Sequence, residues 1–146
     1  IKFRGFTNDS EENKWVYGFL TSETNITYKL SFIEITREVD KETISQFTGL
    51  YDVNEGEIGR EIYEGDTVKL GFTDTKYYNN TYKIVYSEKF AGFFLSDLHS
   101  KEESRSSLLN ISEYIIKKYK IKVIGNTYEN KWLSKLVSFD RASQNT

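Results

Sequence analysis

Apolar side chains recur at every second position over most of the first hundred residues, the spacing that lines one face of a β-strand. Ile1 and Phe3 alternate with Lys2 and Arg4, and Trp15, Tyr17 and Phe19 alternate with Lys14, Val16 and Gly18. The polar run TNDSEEN separates them, which predicts a hairpin with an aromatic stripe. In ITYKLSFIEI, residues 26–35, Tyr28, Leu30 and Phe32 predict one continuous strand, and TREVDKETI then reads as a charged connection. SQFTGLYD predicts a strand running into a turn, with Gly49 marking a bulge or a close backbone approach. DVNEGEIG follows as a polar loop. In Tyr63-Glu64-Gly65-Asp66, Gly65 supplies the positive φ of a type II turn and Asp66 hydrogen-bonds the turn backbone, leaving the glutamates in solvent. Val68, Leu70 and Phe72 re-enter a sheet, TDTKYYNN is a loop, Tyr82, Ile84 and Tyr86 alternate, and FAGFFL is a short buried strand. Strands following one another this closely predict an open barrel or roll of antiparallel strands.

The periodicity changes after Asp97. Leu108, Ile111, Ile115 and Tyr119 step by helical spacing, with Ser106 or Ser107 as cap. KYKIKVIG returns to period two, setting Lys120 and Lys122 opposite Ile121 and Val123. YENKWLSKLV groups Trp132, Leu133, Leu136 and Val137 on a short helical face. The expected organisation is a β region over 1–100, with the helix, return strand and short C-terminal helix of 101–146 packed on the same domain.

Composition agrees with a sheet. Aromatics make up 16% of the 146 residues, as 11 Tyr, 10 Phe and 2 Trp, and there is no Pro. With no Cys, disulfides, thiolate nucleophiles and zinc knuckles are excluded. No apolar run approaches the roughly 20 residues that span a bilayer, and no signal-like segment opens the sequence, so the expected compartment is the cytoplasm. Net charge is −2, but unevenly spread: ten acidic residues against three basic ones lie between Glu34 and Asp66, whereas Lys117, Lys118, Lys120 and Lys122 crowd together. Solvated faces account for this, as do two surfaces for different partners or for a neighbouring copy.

Catalytic chemistry has few carriers. The single His99 lies in a polar loop and no GxSxG elbow presents a serine. Asp52 and Asn54 begin a calcium-loop spacing, but Gly56, Glu57 and Tyr63 stand where the loop needs Asp or Asn at its fifth place, Gly at its sixth and Glu at its twelfth. Glu61, Glu64 and Asp66 form a carboxylate group without a supporting ligand. No motif asks for a cofactor or metal. The lysines from Lys117 to Lys122, with Tyr114 and Tyr119, are the candidate nucleic-acid-binding segment.

IKFRGF, WVYG, VDKETISQFTGLYD, REIYEGDTVKL, YKIVYS and YKIKVIGNTYEN follow one another along the chain. In that order they resemble the YopX family, small proteins of bacteriophages and prophages. The chain departs from the family at Lys131 and Trp132, where a proline is usual. The resemblance implies a mainly β fold in which the IYEGD region is part of an SH3-like barrel or roll with additional strands and one or two short helices near the C-terminus. It also implies a phage or prophage origin, and it brings no assigned activity. The expected function is that of a non-enzymatic accessory protein binding a bacterial or satellite protein, such as a repressor or defence component. Trp15, Tyr17, Arg60 and Trp132 are candidate interface residues, and Gly65 and Asp66 structural turn residues. Nucleic-acid binding through Lys117, Lys118, Lys120 and Lys122, and an oligomeric small-ligand sponge, are the alternatives. A homo-oligomer is also compatible with the charge pattern and strand edges.

Overall fold

The computed structural model describes residues 1–7, 14–53, 58–71, 81–97 and 108–129. The chain divides into two compact units, Ile1–Leu50 and Tyr51–Thr146. It is mainly β.

In the first unit, β1 (Phe3–Phe6), β2 (Trp15–Leu20), β3 (Asn25–Leu30), β4 (Ile33–Glu38) and β5 (Ser45–Tyr51, which runs to the unit boundary) form an antiparallel sheet in the order β4-β3-β2-β1-β5. The expected hairpin is present: Phe3 faces Gly18 and Phe6 faces Trp15. Val16 and Ile26 lie on one face and bury against Val39, with Phe3, Tyr28 and Ile44 around them. A 3-10 turn at Lys41–Thr43 carries the chain back to β5. The Asp40 carboxylate accepts the Glu42 N–H at 3.1 Å to start the turn, and the Thr43 hydroxyl accepts the Phe6 N–H at 2.8 Å to tie it to β1.

The expected continuous strand over 26–35 is instead a tight hairpin. Leu30 pairs with Ile33 across the two-residue loop Ser31-Phe32. Ser31 has φ 60°, the positive value that a II′ hairpin needs at its first central residue and that glycine usually supplies. With Ser in that place, the turn carries no Gly or Asn signal in the sequence. Gly49 has φ 85°, yet an added Cβ would meet nothing within 4 Å, so its backbone conformation and not a close approach explains it.

In the second unit, β6 (Glu61–Tyr63) leads into the turn before β7 (Asp66–Leu70). Beyond it come β8 (Thr81–Ser87), β9 (Gly92–Asp97), β10 (Leu108–Asn110), α1 (Glu113–Tyr119) and β11 (Ile121–Asn126). The antiparallel order is β10-β9-β8-β7-β11. Val68 faces Val123 and Leu70 faces Ile121, while Ile84 faces Leu95, so one face carries a buried aliphatic layer. Among the described residues, the strands at the ends of each order do not pair back on each other, so no closed barrel forms.

The helix differs from expectation. Leu108 is not its start but opens β10, paired with Ser96, and the cap is Ser112 in place of Ser106 or Ser107. The Ser112 hydroxyl accepts the Ile115 N–H at 3.2 Å, and Ile116 is the helix residue that is buried. A short apolar run fits strand and helix alike, and pairing with β9 decides it. Phe72, His99 and the expected helix around Trp132, Leu133, Leu136 and Val137 lie outside the described residues.

Two glycine-related substitutions test this account. Ser31→Gly is expected to raise stability by about 1 kcal/mol by relieving the positive φ. Gly65→Ala is expected to lower it by roughly 1–3 kcal/mol, because φ there is 86° and the added Cβ would sit 3.0 Å from the Tyr128 ring. Denaturant unfolding of the two variants checks both signs.

Candidate functional site

The Tyr63–Asp66 turn is the most tightly tied part of the second unit. The buried Asp66 carboxylate accepts the Tyr63 N–H through Oδ2 at 2.8 Å, which is the expected turn bond. Gly65 donates its N–H to the Ile84 carbonyl at 2.8 Å and its carbonyl accepts both the N–H and the hydroxyl of Thr127, at 3.0 and 3.1 Å. The glutamates are not simply solvated. Glu61 and Glu64 are half-buried, and the Tyr63 hydroxyl donates to Glu61 at 3.5 Å. Burial raises the Glu64 carboxyl above its ordinary value of 4.5, against the lesser opposing pulls of the Lys83 ammonium and the Tyr86 backbone N–H.

Asp52, the first residue of the calcium-like spacing, is bound to backbone. Its Oδ1 accepts the Arg60 N–H at 2.6 Å and its Oδ2 the Val123 N–H at 3.0 Å. Its own N–H donates to the Arg60 carbonyl at 2.9 Å, and Val53 donates to the Ile121 carbonyl at 3.0 Å. Residues 52 and 53 thereby cover the outer edge of β11, an edge that would otherwise offer unpaired groups. Among the described residues no group of three or more His, Cys, Asp or Glu side chains is placed to hold a metal ion.

The candidate lysines are divided by the fold. Lys117 pairs with Glu113 at 3.1 Å one helical turn away, and the Lys118 ammonium lies 5.7 Å from the Tyr114 ring centre and 5.5 Å from that of Tyr119. Lys120 is the left-handed C-cap of α1, with φ 49°. Lys122 sits on β11 directly opposite Lys69 of β7, a residue that its position in the sequence gave no reason to join to the group.

Of the candidate interface residues, Trp15 and Tyr17 share one face of β2, where Phe19 follows them, exposed. The Arg4 guanidinium lies 4.6 Å from the Trp15 ring centre, and Phe6 meets that ring edge-on at 5.4 Å. Trp15 is thus held in place, while Tyr17 is exposed with the Lys2 ammonium 5.9 Å from its ring centre. Arg60 is exposed and belongs to the second unit, its backbone held by Asp52. Trp132 lies outside the described residues. Leu30 and Phe32, which periodicity placed on one face of a continuous strand, sit with Ile33 at the β3–β4 hairpin end, with 61%, 101% and 65% of their surface exposed.

These features define a small, mainly β protein of two antiparallel sheets whose most suggestive carboxylates, Asp52 and Asp66, hold backbone. The chain belongs to the YopX family: the family model, described as YopX protein, matches residues 2–134. No curated protein matches the chain. Among the described residues no helix is long and apolar enough to cross a membrane.

The Glu64 environment has a pH consequence. Its raised value means that the folded state favours the protonated form, so its stabilising contribution is full below 4.5 and is lost as pH rises through the folded value. Relative to Glu64→Gln, which cannot ionise, the wild type is expected to lose stability as the pH rises above 4.5. Denaturant unfolding of both proteins across that range measures it, and parallel curves would contradict the burial argument.

Proposed function

We propose that this protein acts by binding another protein, as a non-enzymatic phage or prophage accessory factor in the bacterial cytoplasm. Its target is a bacterial or satellite protein such as a repressor or defence component. The observation that carries the reading is the β3–β4 hairpin end. Phe32 is fully exposed between exposed Leu30 and Ile33 on a loop held by a two-residue turn. Single exposed apolar residues are ordinary, but three together on a rigid hairpin resemble the preorganised anchors of interfaces. Tyr17 and Phe19 on neighbouring β2 add exposed aromatic surface to the same unit. The charged residues Lys29 and Glu34, opposite each other on the hairpin, supply a polar rim. Within this reading, the strands around the Tyr63–Asp66 turn form an SH3-like roll in the second unit.

The test compares the wild type with the triple variant Leu30→Ser, Phe32→Ser, Ile33→Ser in affinity purification from expressing, nuclease-treated cells. A partner retained in near-equal amount by the wild type is expected to fall at least tenfold with the variant. Exposed substitutions of this kind change stability little, within about 0.5 kcal/mol each, so unfolding midpoints should stay close. Equal retention by both proteins, or no reproducible partner, would remove the proposal.

A further inference from the structure

The like-charged pair Lys69 and Lys122 stands directly opposed across β7 and β11, both exposed. Like charges in this position repel and weaken a sheet. Lys69 also pairs with Thr81 on β8, which makes Lys83, two residues along on the same face, its diagonal neighbour. Strands lie roughly 5 Å apart and such diagonals about 7–8 Å, so three ammonium groups cross three strands in a row. Thr81 and Ser96, the residue opposite Lys83, add hydroxyls to that face. Among the described residues, that face of β7, β8, β9 and β11 carries no carboxylate, in a chain of net charge −2. Also among the described residues, Lys69 and Lys122 make no ion pair, whereas Lys83 has Glu64 nearby.

We propose that this face of the second unit contacts the phosphodiester backbone of a nucleic acid. Lys69 and Lys122 are the facing phosphate ligands, and Lys83 extends the row. A chain that repeats one negative charge at every unit satisfies a row of cations across successive strands. An extended acidic peptide turns alternate carboxylates away. Ammonium and hydroxyl groups are also the donors that phosphate oxygens take. Lys120, exposed at the start of β11, flanks the row, while Lys117 and Lys118 are engaged on the helix. The inference uses a different unit and different residues from the protein-binding reading, so either stands without the other.

Fluorescence anisotropy tests it with a labelled mixed-sequence single-stranded DNA, its duplex and a polyglutamate peptide, over roughly 25–250 mM monovalent salt. Affinity for DNA is expected to fall linearly on logarithmic axes. Lys69→Gln and Lys122→Gln should each make the slope shallower by about 0.7 for the single strand or about 0.9 for the duplex. Either substitution relieves the opposed pair, so the unfolding midpoint should hold or rise while binding weakens. Lys29→Gln, on β3 of the first unit, should leave affinity and slope unchanged. No DNA binding at the lowest salt, or slopes unaffected by the two substitutions, would overturn the proposal. So would a fall in unfolding midpoint accompanying the loss, which would make the pair structural. Polyglutamate bound as tightly as DNA would assign the face to an acidic protein instead.

Discussion

The second unit is organised around the backbone of one residue, Gly65. Its left-handed φ of 86° turns the chain between β6 and β7. In that conformation its N–H reaches the Ile84 carbonyl on β8 and its carbonyl takes two hydrogen bonds from Thr127, just past β11. One residue therefore joins both neighbours of β7, and the adjacent Asp66 locks the turn by accepting the Tyr63 N–H from a buried position. A buried carboxylate is costly unless its oxygens find donors, and Oδ2 of Asp66 finds one by reaching back three residues to the Tyr63 N–H. This explains why an acidic, glycine-containing triplet interrupts an otherwise apolar stretch. The triplet is a joint in the sheet.

Much of this was legible in the sequence, because turn chemistry is local. Gly65 and Asp66 announce their roles by residue type, and period two locates β1, β2, β7, β8 and β11. The misreadings occur where local chemistry is silent or ambiguous. Ser31 occupies a position that glycine would have advertised, so two strands read as one. The run around Leu108 has an apolar spacing compatible with a helix, but the neighbouring strand β9 claims it. Ser112, not an earlier serine, has its hydroxyl where the first helical turn needs an acceptor.

The candidate sites were less legible, since each depends on register. Lys122 appears in the sequence as one of a run, yet it stands opposite Lys69, more than fifty residues earlier, brought there by antiparallel pairing. Leu30 looks like core because it alternates with Tyr28, and the hairpin pairs it with Ile33. They remain exposed because they lie at the far end of the hairpin, past Tyr28 and Ile35, where the cover given by Val39 and Ile44 has run out. Periodicity identifies a face of a strand. It does not say how far along that face the covering residues extend.

The same distinction separates the acidic residues from the basic and apolar ones. Asp52 and Asp66 both direct oxygens to backbone N–H groups, the first closing the 52–60 segment and covering the β11 edge, the second closing a turn. Side chains that satisfy buried or edge backbone are constrained by the fold itself, because their loss leaves donors without acceptors. No such constraint acts on Phe32 or on the Lys69–Lys122 pair. Exposure of the first gains nothing for folding, and opposition of the second works against it. Features that the fold does not need, and that it pays for in part, are the ones on which the two binding proposals rest. The acidic residues that first suggest chemistry therefore explain the scaffold, and the surfaces that cost the scaffold something carry the case for binding.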